Sequence, residues 1–272
     1  MLPSLLSPNK LKKILTTTSS FYDKFRIIEA NLGDNSENYK KAHIDRAVFL
    51  NTLECAEISE LHPRNVPKPD CFKDYVGSLG IANKHHLILY DRSPFGFYTS
   101  SRMWWVFRLF GHENVSILDG GLNLWAHHKF ELSTELPNFA SQKFAINLNK
   151  DLIRDFEAIQ KNIASPHEQV VDCRSQQEFS SKNDQGIDNH IPGAKNVSYN
   201  DLFDKENGRI KDKQELLRLF EENNVDLSKP MVASCLTGMT ACSLAFAAHL
   251  TGKSSVPVYY GSWTEFSKKR SN

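Results

Sequence analysis

Brief apolar runs alternate along this chain with longer stretches of helical spacing. His86–Tyr90, Val115–Leu118, Val170–Asp172, Met231–Ser234 and Val256–Tyr259 are rich in β-favouring residues with little polar interruption. Strands buried on both faces have this pattern, because helices cover a parallel sheet on each side. Between them, Ser100–Phe110, Leu152–Ile163, Lys213–Asn223 and Thr240–Thr251 read as helices. In the last, Ala241, Leu244, Ala245 and Ala248 recur at helical intervals, and Gly252 stands where a helix can end in a left-handed residue. Alternating strands and helices predict α/β units around a mainly parallel sheet flanked by helices. Ligands of such sheets bind beyond the carboxyl ends of the strands. Trp104, Trp105, Phe107 and Phe110, at helical spacing, read as core; the terminal SKKRSN (267–272) reads as a solvated tail.

The pattern occurs twice. With Gly111 laid on Gly252, Val115 falls on Val256, Ile117 on Val258, Gly120 on Gly261 and Trp125 on Phe266, without a gap. Upstream, AHIDRAVFLN (42–51) answers NHIPGAKNVSYN (189–200) through His43 and His190. Two tandem copies of one fold, roughly 120 residues each, account for this. The repeat breaks in ELSTELPNFASQKFAINLNK (131–150), where Ser, Pro and Asn accumulate. The expected organisation is a first domain over 1–135, a linker over 136–150 and a second domain over 151–272.

Composition narrows the partners. Of the 272 residues, 40% are apolar and 24% charged, which excludes a disordered or collagen-like chain. Thirty-three basic residues against 32 acidic ones leave a net charge of +1, which argues against nucleic acid or an anionic membrane as the main partner. No apolar run approaches the 18 or so residues of a membrane helix. The N-terminus lacks the basic head, apolar core and cleavage site of a secretion signal. It carries Lys10, Lys12 and Lys13 but no arginine-rich presequence, so a cytoplasmic setting is expected ahead of a mitochondrial one. Cys55, Cys71, Cys173, Cys235 and Cys242 show no Cys-x-x-Cys spacing. Neither zinc nor a disulfide framework is therefore expected, and at least one free thiol is. No metal or organic cofactor is implied.

Cys235 follows the strand MVAS directly and precedes the helix starting near Thr240, in the loop Cys235-Leu236-Thr237-Gly238-Met239-Thr240. A strand-to-helix turn gathers backbone N–H groups, and the helix adds the positive end of its dipole. Such surroundings favour a thiolate and make it a nucleophile. Gly238 permits the tight turn. Cys242, two helical turns on, reads as helix packing. In the first repeat Asp91 takes the place of Cys235, in a longer loop containing Pro94, so that copy is expected to be non-catalytic. Arg174 lies just past the VVD strand end, on the same side of the sheet as the Cys235 loop. It suits either two-point binding of a carboxylate or an ion pair with Asp172 or Glu178. His190 reads as structural. His62 and Arg64 belong to a proline-rich first-domain loop that could reach the cleft. No arginine stands among Thr240–Ser243 to close a phosphatase loop.

Together these residues resemble the two-domain rhodanese family of sulfurtransferases, over nearly the whole chain. The resemblance rests on SSRMWWVFRLFGH (100–112), DGGLNLW (119–125), VVDCR with EF (170–174, 178–179), HIPGA (190–194), CLTGMTA (235–241) and YYGSWTEF (259–266). It implies tandem rhodanese-like domains, with only the second catalytic. It implies that Cys235 takes up sulfur as a persulfide and passes it to a thiol such as thioredoxin, or to cyanide. It implies that Arg174 holds the substrate carboxylate. Leu236, Gly238, Met239 and Thr240 would complete the substrate-binding loop. Thiosulfate-using members carry basic residues at the second and third loop positions, whereas 3-mercaptopyruvate-using members carry Gly-Ser. Here Leu236 and Thr237 supply no cation but keep a hydroxyl, so the loop is similar to the mercaptopyruvate branch, with Thr237 joining Cys235 in catalysis. Thiosulfate sulfurtransfer is the alternative, and a catalytically weak rhodanese-type binding module is the rival of another class. Leu236 departs from both patterns. A second carboxylate-binding arginine expected between Phe179 and His190 is absent, and Lys182 is the only cation there.

Overall fold

The computed structural model describes residues 2–18, 20–34 and 36–270. Two five-stranded sheets carry the two repeats. The first contains β1 (Leu5–Leu6), β2 (Phe25–Asn31), β3 (Val48–Asn51), β4 (His86–Tyr90) and β5 (Val115–Leu118), in the order β1-β5-β4-β2-β3. The second contains β6 (Ile153–Arg154), β7 (Gln169–Asp172) and β8 (Lys195–Asn196). A separate two-stranded hairpin, β9 (Phe203–Asp204) with β10 (Arg209–Ile210), follows. The second sheet is then completed by β11 (Met231–Ser234) and β12 (Val258–Tyr259), in the order β6-β12-β11-β7-β8. Every pairing within the five-stranded sheets is parallel. The two orders correspond strand for strand, so β11, which delivers Cys235, is the counterpart of β4, which delivers Asp91.

The helices of the first half are α1 (Pro8–Thr17), α2 (Phe21–Lys24), α3 (Glu37–Lys41), α4 (Pro69–Ser78), α5 (Thr99–Leu109) and α6 (Gly121–His127). Those of the second are α7 (Phe156–Ala164), α8 (Gln176–Ser180), α9 (Lys213–Glu222), α10 (Thr240–Thr251) and α11 (Ser262–Lys269). Capping explains several boundaries. Asp155 accepts from Ala158 N at 2.8 Å, so α7 starts at Phe156, four residues later than its apolar pattern suggests. Asp212 and Glu215 form a reciprocal capping box on α9. Gly252, at φ +112°, ends α10 as expected. Ile27, Ile88, Tyr90, Leu118 and Trp125 lie in the first core, and Val170, Val232, Tyr259, Trp263 and Phe266 in the second. Trp104, Trp105, Phe107 and Phe110 are buried as the spacing predicts. Among the described residues no helix is long and apolar enough to cross a membrane.

The chain divides into two compact units that exchange short segments. The first takes residues up to Ala56, Pro67–Asn149 and Lys205–Arg209; the second takes Glu57–Val66, Lys150–Asp204 and Ile210 onward. The stretch read as a linker is laid along the first unit: Gln142 N donates to Gly77 O, Asn147 N to Phe110 O and Asn149 N to Leu109 O.

Two expectations are corrected. Cys55 and Cys71 form a disulfide within the first unit. Their Cα atoms lie 5.5 Å apart, inside the span a disulfide bridges, because Cys55 adopts a left-handed φ of +67° and turns back toward α4. The C-terminal segment is also no free tail, since α11 runs through Lys269. Lys269 pairs with Glu265 at 2.8 Å, and the Arg270 guanidinium stacks on Trp263. Ser271 and Asn272 lie outside the described residues.

Alkylation of the denatured, unreduced protein should therefore block three of the five cysteines, and all five after reduction, as intact mass would show. The first unit also carries acid-sensitive histidines. Burial, first among several causes, pushes His85 and His86 down to about 4, and His112 is lowered as well. The unfolded chain takes up these protons near pH ~6.5, which the native state refuses until near 4. Stability in urea unfolding should be fully present above that unfolded value and fall as the pH drops from there toward 4.

Candidate active site

The central strand β11 stops at Ser234, and the chain turns through Cys235–Met239 into α10. Gly238 makes the turn at φ +80°, and its N–H donates to Cys235 Sγ at 3.1 Å. No larger residue fits there: a Cβ on Gly238 would stand 2.6 Å from the Tyr260 carbonyl oxygen. The start of α11 clasps the same loop. Cys235 N donates to Ser262 Oγ at 3.1 Å, and Trp263 N donates to Cys235 O at 3.0 Å. Thr264 bonds Leu236 O through both its N–H (2.9 Å) and its hydroxyl (2.8 Å). Ser262 is itself held at a left-handed φ of +51°, its hydroxyl donating to Tyr259 O.

The predicted loop residues are thus contiguous in space, but they differ in what they offer. Cys235 is recessed, 2% exposed; Leu236, 46% exposed, stands at the mouth, with Thr237 half-buried beside it. The Met239 side chain is buried in the core, so only its backbone is available to a ligand. Thr240 is hydrogen-bonded to Cys173, a buried thiol next to the end of β7. Burial, then the neighbouring Cys235 and Asp172, push the Cys173 thiol well up, so it stays protonated at neutral pH. Of the two thiols, Cys235 alone has the backbone N–H of the loop on its sulfur.

The first unit shows what this turn does with a fixed anion. Asp91 Oδ1 accepts from Ser93 N (2.8 Å) and Ser93 Oγ (2.5 Å), and Oδ2 accepts from Thr99 N (2.8 Å) and Ser100 N (2.9 Å). Leu122 N donates to Asp91 O at 3.0 Å, just as Trp263 N does to Cys235 O. A carboxylate built into the chain takes the helix N-terminal donors of α5.

Arg174 is brought to the neighbouring strand end, where Asp172 pairs with Ser234 across β7 and β11. Its Nε lies 3.1 and 3.0 Å from the two Asp172 oxygens, and its Nη2 bonds Asp172 Oδ2 at 2.6 Å and Asn189 O at 2.8 Å. The guanidinium also stacks on Trp263 and is 5% exposed. The ion pair with Asp172 is therefore realised. Lys182 pairs with Asp188 on the surface at 3.6 Å. His190 stacks on Phe179 with Nδ1 2.8 Å from Phe179 O, and His43 stacks likewise on Tyr39 with Nδ1 2.8 Å from Tyr39 O. Both are structural counterparts.

The segment Glu57–Val66 folds with the second unit. There His62 stacks on Tyr260 at 5.1 Å, its Nε2 3.3 Å from the buried Glu265. Arg64 is half-buried, and its Nη1 donates to Pro63 O. Sequence reasoning missed the clasp by Tyr260, Ser262 and Thr264. Its only signal was the equivalence of Gly120 and Gly261, which brackets the same turn in each repeat.

Removing Arg174 would leave Asp172 buried and unpaired, which costs about 3–5 kcal/mol. Arg174→Ala should lower the unfolding free energy by an amount of that order in urea titration. A loss of substrate affinity with unchanged stability would assign the arginine to binding alone.

The rhodanese-like domain model matches residues 7–128 and 155–269. The thiosulfate sulfurtransferase of Gallus gallus is 40% identical over 235 residues, 86% of this chain and 81% of that protein. The human 3-mercaptopyruvate sulfurtransferase is 38% identical over 237 residues, 86% of this chain and 80% of that protein. The crystal structure of SseA from Escherichia coli, described as a 3-mercaptopyruvate sulfotransferase, superposes with a TM-score of 0.81. It is 26% identical and covers 96% of this chain and 99% of its own. With the same strand order in each half and the recessed cysteine at the head of α10, this chain belongs to the rhodanese family and carries two rhodanese-like domains.

Proposed function

We propose that this protein is a sulfurtransferase that moves sulfane sulfur from 3-mercaptopyruvate, through a persulfide on Cys235, to a thiol acceptor, releasing pyruvate. The observation that carries this reading is the Gly238 N–H directed at Cys235 Sγ, at the end of a central strand. The relatives bear both donor names at nearly equal identity, so the choice of donor rests on the loop. Leu236 and Thr237 give a dianion no cation to meet, whereas a singly charged carboxylate with a neutral thiol needs none at the sulfur. Thiosulfate is the second reading.

The Cys235 thiolate attacks the thiol sulfur of 3-mercaptopyruvate. The new S–S bond forms as the C–S bond breaks, and the electron pair leaves as the enolate of pyruvate, which takes up a proton. Thr237, half-buried at the loop mouth, relays that proton. The N–H groups of the loop and the α10 dipole stabilise the anionic sulfur. Arg174 meets the substrate carboxylate. An acceptor thiolate then attacks the outer sulfur of the persulfide and restores the Cys235 thiolate. A dithiol protein such as thioredoxin suits this step, since its second thiol resolves the persulfide it receives.

Sulfur transfer to cyanide, compared for 3-mercaptopyruvate and thiosulfate, tests the scheme. Wild type should prefer mercaptopyruvate, and Cys235→Ser should abolish transfer from either donor. Mass spectrometry after donor treatment should place one added sulfur on Cys235. A preference for thiosulfate would overturn the donor assignment, and an adduct elsewhere would overturn the nucleophile.

A further inference from the structure

The Cys55–Cys71 disulfide lies at the surface, with Cys71 exposed and Cys55 half-buried, whereas Cys173, Cys235 and Cys242 are buried. Exposed disulfides are the ones that exchange with thiols in solution. Cys71 is also the third residue of α4, so its thiolate, once released, stands in the first turn of a helix and is stabilised by that end of the dipole.

The bond closes the neck of the Glu57–Val66 arm. Beside it Ala56 pairs with Pro67, and Lys68 N donates to Cys55 O at 2.9 Å. Within the arm, Asn65 Nδ2 donates to Glu57 O at 3.0 Å and Ser59 N to His62 O at 3.2 Å. At its tip His62 stacks on Tyr260 and approaches Glu265, and Glu60 meets Lys268 at 3.4 Å. All three partners belong to α11 or to the turn before it. That same stretch fixes the active loop: Ser262, Trp263 and Thr264 bond Cys235 and Leu236, and the Tyr260 carbonyl oxygen bounds the space beside Gly238. A seated arm therefore braces the turn that clasps Cys235. With the disulfide closed, a detached arm keeps its ends together and reseats readily. With it open, the neck frays along with the arm, and reseating must order more chain.

We propose that the Cys55–Cys71 disulfide is a redox-controlled clip on sulfur transfer: closed, it keeps the 57–66 arm seated on the Tyr260–Thr264 turn, and its reduction by a dithiol loosens the arm and slows loading of Cys235. This rests on the reading of Cys235 as the sulfur carrier. A thiolate of the dithiol attacks the exposed Cys71 sulfur, the S–S bond breaks, and Cys55 leaves as a thiolate that takes up a proton. The second thiolate of the dithiol then displaces Cys71, which is protonated in turn. The reductant closes into its own disulfide, and two electrons pass to the protein.

The experiment compares the oxidised full-length chain with one reduced by dithiothreitol and then freed of it without oxygen, since that reagent also takes sulfur from a persulfide. Hydrogen exchange is read over 57–66 and 260–264, and sulfur loading of Cys235 from 3-mercaptopyruvate is followed by mass. Reduction should speed exchange in both segments by about three- to tenfold and slow loading by about two- to fivefold, the scale of one or two weak contacts, and reoxidation should restore both. Cys71→Ser should behave as reduced wild type with or without dithiothreitol. His62→Ala should load slowly even when oxidised and lose nothing more on reduction. Equal exchange and loading in the two redox states would overturn the proposal, as would a disulfide that resists dithiothreitol in the native protein or a Cys71→Ser chain that still responds to it. Should Cys71→Ser fail to fold, the comparison within wild type still decides. Loading that fails in both redox states, while exchange still follows the disulfide, would instead sink the carrier reading.

Discussion

Where a parallel strand runs straight into a helix, the first N–H groups of the helix have no carbonyl partners, and something must accept from them. The two halves of this molecule answer that demand differently. In the first, Asp91 supplies a carboxylate that accepts from Ser93, Thr99 and Ser100. In the second, a thiol stands at the same point and its sulfur accepts the N–H of Gly238. A carboxylate saturates the turn and leaves no reactive group. A sulfur that accepts less leaves donors for a charge that arrives from outside, which is what a group-transfer site needs.

That difference requires the rest of the second unit to hold the loop by its backbone. Ser262 accepts from Cys235 N, and Trp263 and Thr264 donate to the carbonyls of Cys235 and Leu236. Gly121 and Ser262, both at positive φ, occupy corresponding places after Gly120 and Gly261. The serine endures a conformation better suited to glycine, and its hydroxyl supplies a bond to the active loop that the first unit's glycine cannot. Arg174 contributes from the next strand by neutralising the buried Asp172 beside Ser234.

The sequence displays the central strands and long helices because both are periodic and long enough to count. β4, β5 and β11 match the expected runs residue for residue. The edge strands β1, β6 and β8 are two residues each, set by the sheet they join and carrying no pattern of their own. Cys235 was legible from its place between strand and helix, and Asp91 from the repeat. The pairing of Cys55 with Cys71 was not, since it depends on a left-handed residue with no glycine to announce it. The C-terminal helix was obscured because Lys269 and Arg270 look like part of a solvated tail until the Glu265 and Trp263 they engage are seen beneath them. Arg174 was placed correctly at its strand end, but spacing alone could not say how many of its donors Asp172 and Asn189 would occupy.

A loop without lysine or arginine has a chemical consequence. A cation placed beside Cys235 would attract a carboxylate as readily as a sulfur anion, and would bind a dianion in the ground state as firmly as later in the reaction. Fixed backbone N–H groups act over a shorter range and along set directions. One held at 3.1 Å from Cys235 Sγ favours charge on that sulfur over charge elsewhere in the substrate. On the proposed scheme the loop trades reach for direction: it attracts an anionic donor less strongly from solution than a cation would, and its fixed N–H groups act only at short range on the sulfur they face.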